Sequence, residues 1–240
     1  ILLLYLFFLI SSKDIFFIPH SHTDLGWLRT IEEYYVEKVE QILDGVIQTL
    51  TEDTSQRKRF VISEIGFLKI YIERNRTTKE IKVSKIKSLL ENGQLELVNG
   101  GISQADSACT NYEDLIINYF SGINYIVRTL GHTAVAAWQL DPFGHSLSLP
   151  YIAKLFGLNH IVINRVSDDL KETWKKEKSL QFKLVYPDNS FSYVHTTVYG
   201  YTSPSGLNCD EYCSRFLFNH REVSNYLNQL EKEYAANPFH

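Results

Sequence analysis

The sequence of 240 residues contains no methionine, only three cysteines and six prolines, and no excess of basic side chains. Because a translated chain begins with methionine, we expect that the sequence lacks its natural start. The 24 Lys and Arg against 28 Asp and Glu give a net charge of −4, which argues against a nucleic-acid partner. No apolar run reaches the roughly 20 residues that cross a bilayer, so we expect no stable membrane span.

The residues that are present are those of a globular chain with many rings. Apolar residues make up 44% and charged residues 22% of the sequence, which excludes a disordered protein. Aromatic residues reach 13%, a content that suits a well-filled core and also a pocket whose rings stack on sugars. At about 150 residues per domain, the length is compatible with one large domain.

The chain opens with ten apolar residues, Ile1–Ile10, followed by Ser11 and Ser12. This run is too short to cross a bilayer and is typical of the hydrophobic region of a secretory signal. We therefore interpret residues 1–12 as the remnant of such a signal. The alternatives are a buried first strand and a membrane anchor whose first half is missing.

Two further features favour the secretory pathway. Cys209 and Cys213 are close enough in sequence to form a small disulfide loop in an oxidising compartment, and a metal site is less favoured because there is no second pair. Cys109 is then left over, and we expect it to be a buried thiol. Asn75 begins the sequence Asn-Arg-Thr, which is an N-glycosylation motif.

Apolar runs alternate with amphipathic stretches along the chain. Short apolar runs predict strands at 15–18, 60–62, 95–98, 134–140, 160–163 and 191–198. Helical spacing and stop signals predict helices at 31–50, 79–90, 112–130 and 148–156. Such alternation is typical of an α/β fold with a parallel sheet, whose ligands bind at the carboxyl ends of the strands.

Polar clusters follow the predicted strands. His22 and Asp24 follow the first strand, where alternate residues of an extended segment point to one face. Asp141 follows the fourth strand, and imidazole with carboxylates favours Zn²⁺ among the common metals. A surface His and Asp at this spacing are also common. Trp27 and Phe143 are more often core residues, although their place in strand-end loops favours a wall that stacks on sugars.

Several segments, in order, resemble the α-mannosidases of glycoside hydrolase family 38. Pro19–Trp27 resembles the opening signature of that family, and Arg165 falls where the family has an arginine. The other similar segments are Phe60–Phe67, Gly93–Gly101 with Asp106 after it, and Trp138–Ser146. The resemblance covers about residues 15–213, and two of its motifs are highly specific.

The resemblance implies an α/β, parallel-stranded, barrel-like fold of the glycoside hydrolase and deacetylase kind, incomplete at the C-terminus. Residues 13–240 would be the N-terminal part of a catalytic domain, and the family's helical and β domains would follow. The implied Zn²⁺ ligands are His22, Asp24 and Asp141. The mannose subsite would be lined by Trp27, Phe143, Arg165 and Tyr201. The lysosomal branch of the family has a short-spaced disulfide that Cys209 and Cys213 resemble.

The implied activity is retaining hydrolysis of terminal α-mannosyl linkages in N-glycan-type oligosaccharides, with Asp141 as the nucleophile. Such a reaction needs a second carboxyl group as general acid and base, about 5–5.5 Å from the first. The family's general acid and its fourth zinc ligand, a histidine, are expected beyond residue 240. The implied compartment is the lysosome, with the Golgi lumen or secretion as alternatives.

The sequence departs from the family pattern at two positions and leaves two other functions open. Ile102 and Ser107 stand where the family has a tryptophan and an acidic residue, so Asp106 receives no catalytic role. The first alternative function is a catalytically incomplete fragment or sugar-binding remnant of such an enzyme. The second is a metal-dependent polysaccharide deacetylase, which the lack of a His-x-x-x-His motif disfavours.

Overall fold

The computed structural model describes residues 18–198, 200–202, 207–209, 216–218 and 220–234. Within these ranges the chain has the α/β fold with parallel strands that the sequence predicts. The apolar residues 1–12 and the predicted first strand, apart from Ile18, lie outside them. Each helix of the described part is too short or too polar to cross a membrane.

Helices and strands alternate along most of the chain. The helices are α1 (Ile31–Tyr34), a π-helical turn (Tyr35–Val39), α2 (Glu40–Glu52), α3 (Ile65–Glu73), α4 (Lys79–Glu91), α5 (Tyr112–Leu130), α6 (Ser148–Leu155), α7 (Asp168–Glu177) and α8 (His220–Glu233). The strands are β1 (Phe60–Ile62), β2 (Leu95–Leu97), β3 (Ala137–Gln139), β4 (His160–Ile163), β5 (Gln181–Val185), β6 (Phe191–Thr196), β7 (Leu207–Cys209) and β8 (Phe216–Phe218).

The parallel strands form a continuous wall. β1 pairs with β2, β3 with β4, and β4 with β6, all in parallel. Backbone hydrogen bonds connect β2 to the β3 region, because Val135 N donates to Leu97 O at 2.9 Å and Asn99 N donates to Ala136 O at 2.8 Å. At the other edge, His20 forms a parallel bridge with Val61. Pro19 and His20 therefore lie beside β1 as the end of a first strand would.

The two faces of the wall have different neighbours, because successive strand residues point to opposite sides. Ile62 faces a core formed with α2, α3, α4 and α5, and Ala137 and Ile161 face a second core that includes α6. Val61 and Trp138 face the opposite side, where they pack with Val98 and Leu140. Helices thus cover the face that carries Ile62, Ala137 and Ile161. The other face carries the cluster of Val61 and Trp138, and the polar strand ends lie at the edge of this cluster.

Most predicted elements are confirmed, with boundaries shifted by a few residues. The helix at 112–130 is confirmed in full; Asn111 Oδ1 caps it by accepting from Asp114 N at 2.8 Å, and Gly131 ends it with a φ of 70°. The sequence reading missed α3, α7 and α8. It also missed β5, which pairs antiparallel with β6, so this sheet is mixed rather than wholly parallel.

The segment after β2 passes so close to α5 that only glycine fits at Gly122. A Cβ atom there would overlap the carbonyl oxygen of Gly100 and would lie 2.9 Å from Ile102 N. These are backbone atoms, which cannot rotate away as a side-chain end can. The packing of α5 therefore fixes the path of the chain after β2, on the edge of the wall that carries the polar residues.

We predict that Gly122→Ala destabilises the protein by about 1–3 kcal/mol, because the added methyl group overlaps backbone. Gly45→Ala in α2 is the matched control, since a Cβ there meets nothing within 4 Å. That variant is expected to gain about 0.5–1 kcal/mol from higher helix propensity. Urea denaturation of both variants measures the change in the free energy of unfolding. Equal changes in the two variants would contradict the close backbone approach at Gly122.

Candidate metal centre and active site

The functional residues come together at the carboxyl ends of the parallel strands. His22 and Asp24 follow the segment that pairs with β1, and Asp141 follows β3. Arg165 follows β4, and Tyr201 lies beyond β6. The strand order brings these segments to one edge, although almost 180 residues separate His22 from Tyr201. The grouping that strand-end polarity predicts is therefore present.

His22, Asp24 and Asp141 form a group of potential metal ligands. Their ligand atoms all lie within 4.8 Å of one another. His22 Nε2 lies 3.5 Å from Asp24 Oδ1 and 3.6 Å from Asp141 Oδ2. These separations match those of two ligands bound to one tetrahedral ion with bonds of about 2.0–2.1 Å, which places them roughly 3.4 Å apart.

The surroundings of His22 also fit a bound cation. Both of its ring nitrogens are buried, and neither has a hydrogen-bond partner among the residues that the structure describes. A buried polar atom without a partner is costly, whereas a metal ion would take one of these nitrogens as a ligand. The Tyr201 ring lies against the imidazole, with 4.9 Å between the two ring centroids.

Asp141 uses its two oxygens differently. Oδ2 faces His22, whereas Oδ1 accepts a hydrogen bond from Arg165 Nε at 2.7 Å and forms an ion pair with Nη2 at 2.6 Å. Burial raises the pKa of Asp141, but hydrogen bonds from Tyr201 and Arg165 and the nearby positive charge outweigh it and hold the pKa below 3.8. Burial and the hydrogen bond to Asp141 raise the pKa of Tyr201 to about 12, so this phenol remains a neutral donor.

Aromatic side chains border this group. Phe143 is 70% exposed, and the Arg165 guanidinium lies 4.5 Å from its ring centroid. Trp27, three residues beyond Asp24, is 73% exposed. Neither ring is buried in a core, and the role that their strand-end loops favour, stacking on sugars, stays a prediction. His145 Nε2 lies 2.8 Å from the carbonyl oxygen of Arg165, so it connects the loop after β3 to the loop after β4.

Three further side chains, His20, Asp106 and Cys109, lie outside the group of potential metal ligands. The His20 ring packs edge-on against Trp138, and burial lowers the pKa of His20. Asp106 Oδ1 accepts a hydrogen bond from Ala108 N at 3.1 Å, within its own loop. Cys109 is exposed, so the expectation of a buried thiol is wrong.

The remaining predicted sites are only partly described. Asn75 lies exposed in the turn between α3 and α4, where its Oδ1 accepts a hydrogen bond from Thr77 N at 3.0 Å. Cys213 lies outside the described residues, and so does the side chain of Cys209. The predicted pairing of these cysteines therefore stays a prediction.

Glu64 is the residue whose role sequence reasoning missed. It is 6% exposed and accepts hydrogen bonds from Ser21 Oγ and Thr23 N, each at 3.0 Å. Burial raises its pKa, and the hydrogen bonds from Thr23, Ser21 and Ser63 oppose that rise. The only sequence signal for Glu64 was its position just after β1. That position did not reveal that Glu64 binds Ser21 and Thr23, the residues on either side of His22.

Solved structures share the fold of the described residues. An alpha-mannosidase from Enterococcus faecalis aligns with a TM-score of 0.68 at 15% identity, over 92% of this chain and 24% of that one. A 4-alpha-glucanotransferase from Thermococcus litoralis aligns with a TM-score of 0.57 at 20% identity, over 92% of this chain and 31% of that one. The described residues therefore share the α/β fold of these two structures.

Sequence comparison identifies the family of this chain. Residues 12–238 match the family described as "Glycosyl hydrolases family 38 N-terminal domain". Alpha-mannosidase F of Dictyostelium discoideum is 38% identical over 201 residues, and alpha-mannosidase 2 of Rattus norvegicus is 38% identical over 169 residues. The chain belongs to glycosyl hydrolase family 38, as its motifs indicated. The aligned regions cover 81% and 70% of this chain but only 20% and 14% of those relatives.

We predict that Arg165→Gln raises the pKa of Asp141, because the variant loses the positive charge and the hydrogen bond from Nε to Oδ1. The fold is expected to survive, since the Arg165 side chain is 44% exposed. Carboxyl ¹³C NMR titration of the metal-free protein measures the shift. Arg74→Gln, which removes a surface ion pair with Glu32, is the control and leaves the Asp141 titration unchanged. An unchanged Asp141 pKa in Arg165→Gln would contradict the pairing.

Proposed function

We propose that the protein is a zinc-assisted α-mannosidase that hydrolyses terminal α-mannosyl linkages of N-glycan-type oligosaccharides with retention of configuration. One observation carries the proposal: a chain of family 38 places His22, Asp24 and Asp141 around one point, with Arg165 paired to Asp141. The proposed zinc ligands are these three residues. The proposed nucleophile is Asp141.

The surroundings of Asp141 support its role as a nucleophile. Attack on an anomeric carbon needs an ionised carboxylate, and the pKa of Asp141 lies below its ordinary value because Arg165 and Tyr201 donate to it. The pairing with Arg165 also limits rotation of the carboxylate, so its orientation is set before substrate binds. Asp141 would form the covalent glycosyl-enzyme that a retaining reaction requires.

Zinc would supply a Lewis acid for the sugar hydroxyls, and the group His22, Asp24 and Asp141 has the nitrogen and oxygen donors that this ion accepts. The exposed rings of Trp27 and Phe143 would pack on the apolar face of mannose. Arg165 and Tyr201 would orient its hydroxyl groups by hydrogen bonds. Retention further needs a general acid and base, which we assign, with a fourth zinc ligand, to a part of the protein beyond residue 240.

We further propose that the protein works in the lumen of the secretory pathway, most simply in the lysosome. The apolar residues Ile1–Ile10, the exposed motif at Asn75 and the predicted Cys209–Cys213 disulfide support this location. The relatives named in the comparisons are α-mannosidases, but their names give no compartment for this chain.

We predict that the protein, expressed from its complete reading frame, contains near-stoichiometric zinc and hydrolyses an aryl α-mannoside. Asp141→Asn is expected to lose zinc and to lower kcat/KM by about 10³-fold or more, because it removes a ligand and the nucleophile. Elemental analysis and steady-state kinetics measure both effects. Asp169→Asn, at the exposed start of α7, is the matched control and leaves both unchanged.

The stereochemistry of the product tests the mechanism separately. ¹H NMR of the first mannose released is expected to show the α anomer, because two displacements restore the configuration. A β anomer as the first product would overturn the nucleophile assignment. Zinc binding without turnover would instead support the sugar-binding remnant, and absence of zinc would overturn the ligand set.

A further inference from the structure

We propose that Glu64 is a positioning residue that fixes the direction of the His22 side chain by holding the chain on both sides of it. The inference rests on the proposed metal site, since His22 must point at the ion to bind it. Glu64 is not itself a member of the ligand group. It acts through the segment that carries the ligand.

The contacts of Glu64 flank His22 in the sequence. Its Oε2 accepts a hydrogen bond from Ser21 Oγ at 3.0 Å, and its Oε1 accepts one from Thr23 N at 3.0 Å. One carboxylate thus holds the residue before His22 and the residue after it. These two bonds restrict the backbone torsions of His22 from both sides, and the torsions set the direction of its Cα–Cβ bond.

Glu64 is well placed to act as an anchor. It lies between β1, which ends at Ile62, and α3, which begins at Ile65, so its own backbone is held by two regular elements. Below it, Val61 N donates to Pro19 O at 2.9 Å. The segment carrying His22 is therefore bonded to the β1 region at its base and again at Glu64.

A carboxylate suits this position because each of its neighbours is a donor. A buried charge is costly unless hydrogen bonds compensate it. Here the Thr23 amide and the hydroxyl groups of Ser21 and Ser63 supply the donors, and the N-terminus of α3 favours negative charge. Glutamine could keep much of this arrangement, because its oxygen can accept from Thr23 N while its NH₂ group donates to the Ser21 hydroxyl.

A residue that only stabilises the fold would lower the melting temperature and leave the metal affinity of the folded protein unchanged. Gln94 is the matched control for that case. It is also buried, and its Nε2 donates to Leu50 O at 3.0 Å. It precedes β2 and so lies at the opposite end of the wall from His22.

The first experiment measures metal affinity in the protein expressed from its complete reading frame. Zn²⁺ affinity is obtained by competition with a chromophoric chelator, and the visible spectrum of the Co²⁺ form reports the coordination geometry. Glu64→Ala is expected to weaken Zn²⁺ binding by about 10–100-fold and to alter the Co²⁺ bands. Glu64→Gln is expected to stay within about threefold of the parent, and Gln94→Ala to lose thermal stability only. Parental affinity and an unaltered spectrum in Glu64→Ala would overturn the proposal.

The second experiment needs no metal and so separates this inference from the proposed function. In the metal-free protein, exchange of the Thr23 amide is followed by NMR, and Glu64→Ala is expected to speed it about tenfold or more. If Glu64→Ala does not fold, Ser21→Ala removes only one of the two bonds and is expected to weaken Zn²⁺ binding by a smaller factor. Failure of the parent to bind Zn²⁺ overturns the metal proposal, whereas unchanged Thr23 exchange in folded Glu64→Ala overturns the role of Glu64.

Discussion

The backbone hydrogen bonds that join Pro19, β1, β2, the β3 region, β4 and β6 keep these strands parallel, and the site depends on that direction. Parallel strands present all their carboxyl ends at one edge. Residues far apart in the chain, such as His22 and Asp141, can then approach within 3.6 Å without any long loop having to fold over the site. In the described part of the chain, the helices pack on the face of the wall that carries Ile62 and Ala137.

Within that edge, polar groups are arranged in layers of decreasing burial. Glu64 lies lowest and is almost fully buried, His22 lies above it, and Asp141, Arg165 and Phe143 are progressively more exposed. Arg165 donates a hydrogen bond to Asp141, and the Tyr201 ring lies against His22. The Asp141 carboxylate therefore stays partly exposed while a neighbouring side chain restricts its orientation.

The sequence predicted those parts of the molecule that repeat a simple pattern. The helix at 112–130 has a clear apolar spacing, a capping Asn111 and a terminal Gly131, so its limits could be read directly. α3 was missed because its residues are buried on nearly every side and show no polar face. The ligand group could be expected from strand-end positions, whereas the hydrogen bonds of Glu64 depend on a three-dimensional approach across more than 40 residues.

The contact between Gly122 and the segment Gly100–Ile102 also limits how this part of the molecule can diverge. A larger residue on α5 requires the segment to move, and a displaced segment loses its support unless the helix changes with it. We therefore expect the two to vary together among relatives rather than independently. In the loop after β3, a Cβ atom at Gly144 would meet nothing within 4 Å, so we expect this loop to diverge without a matching change in a helix.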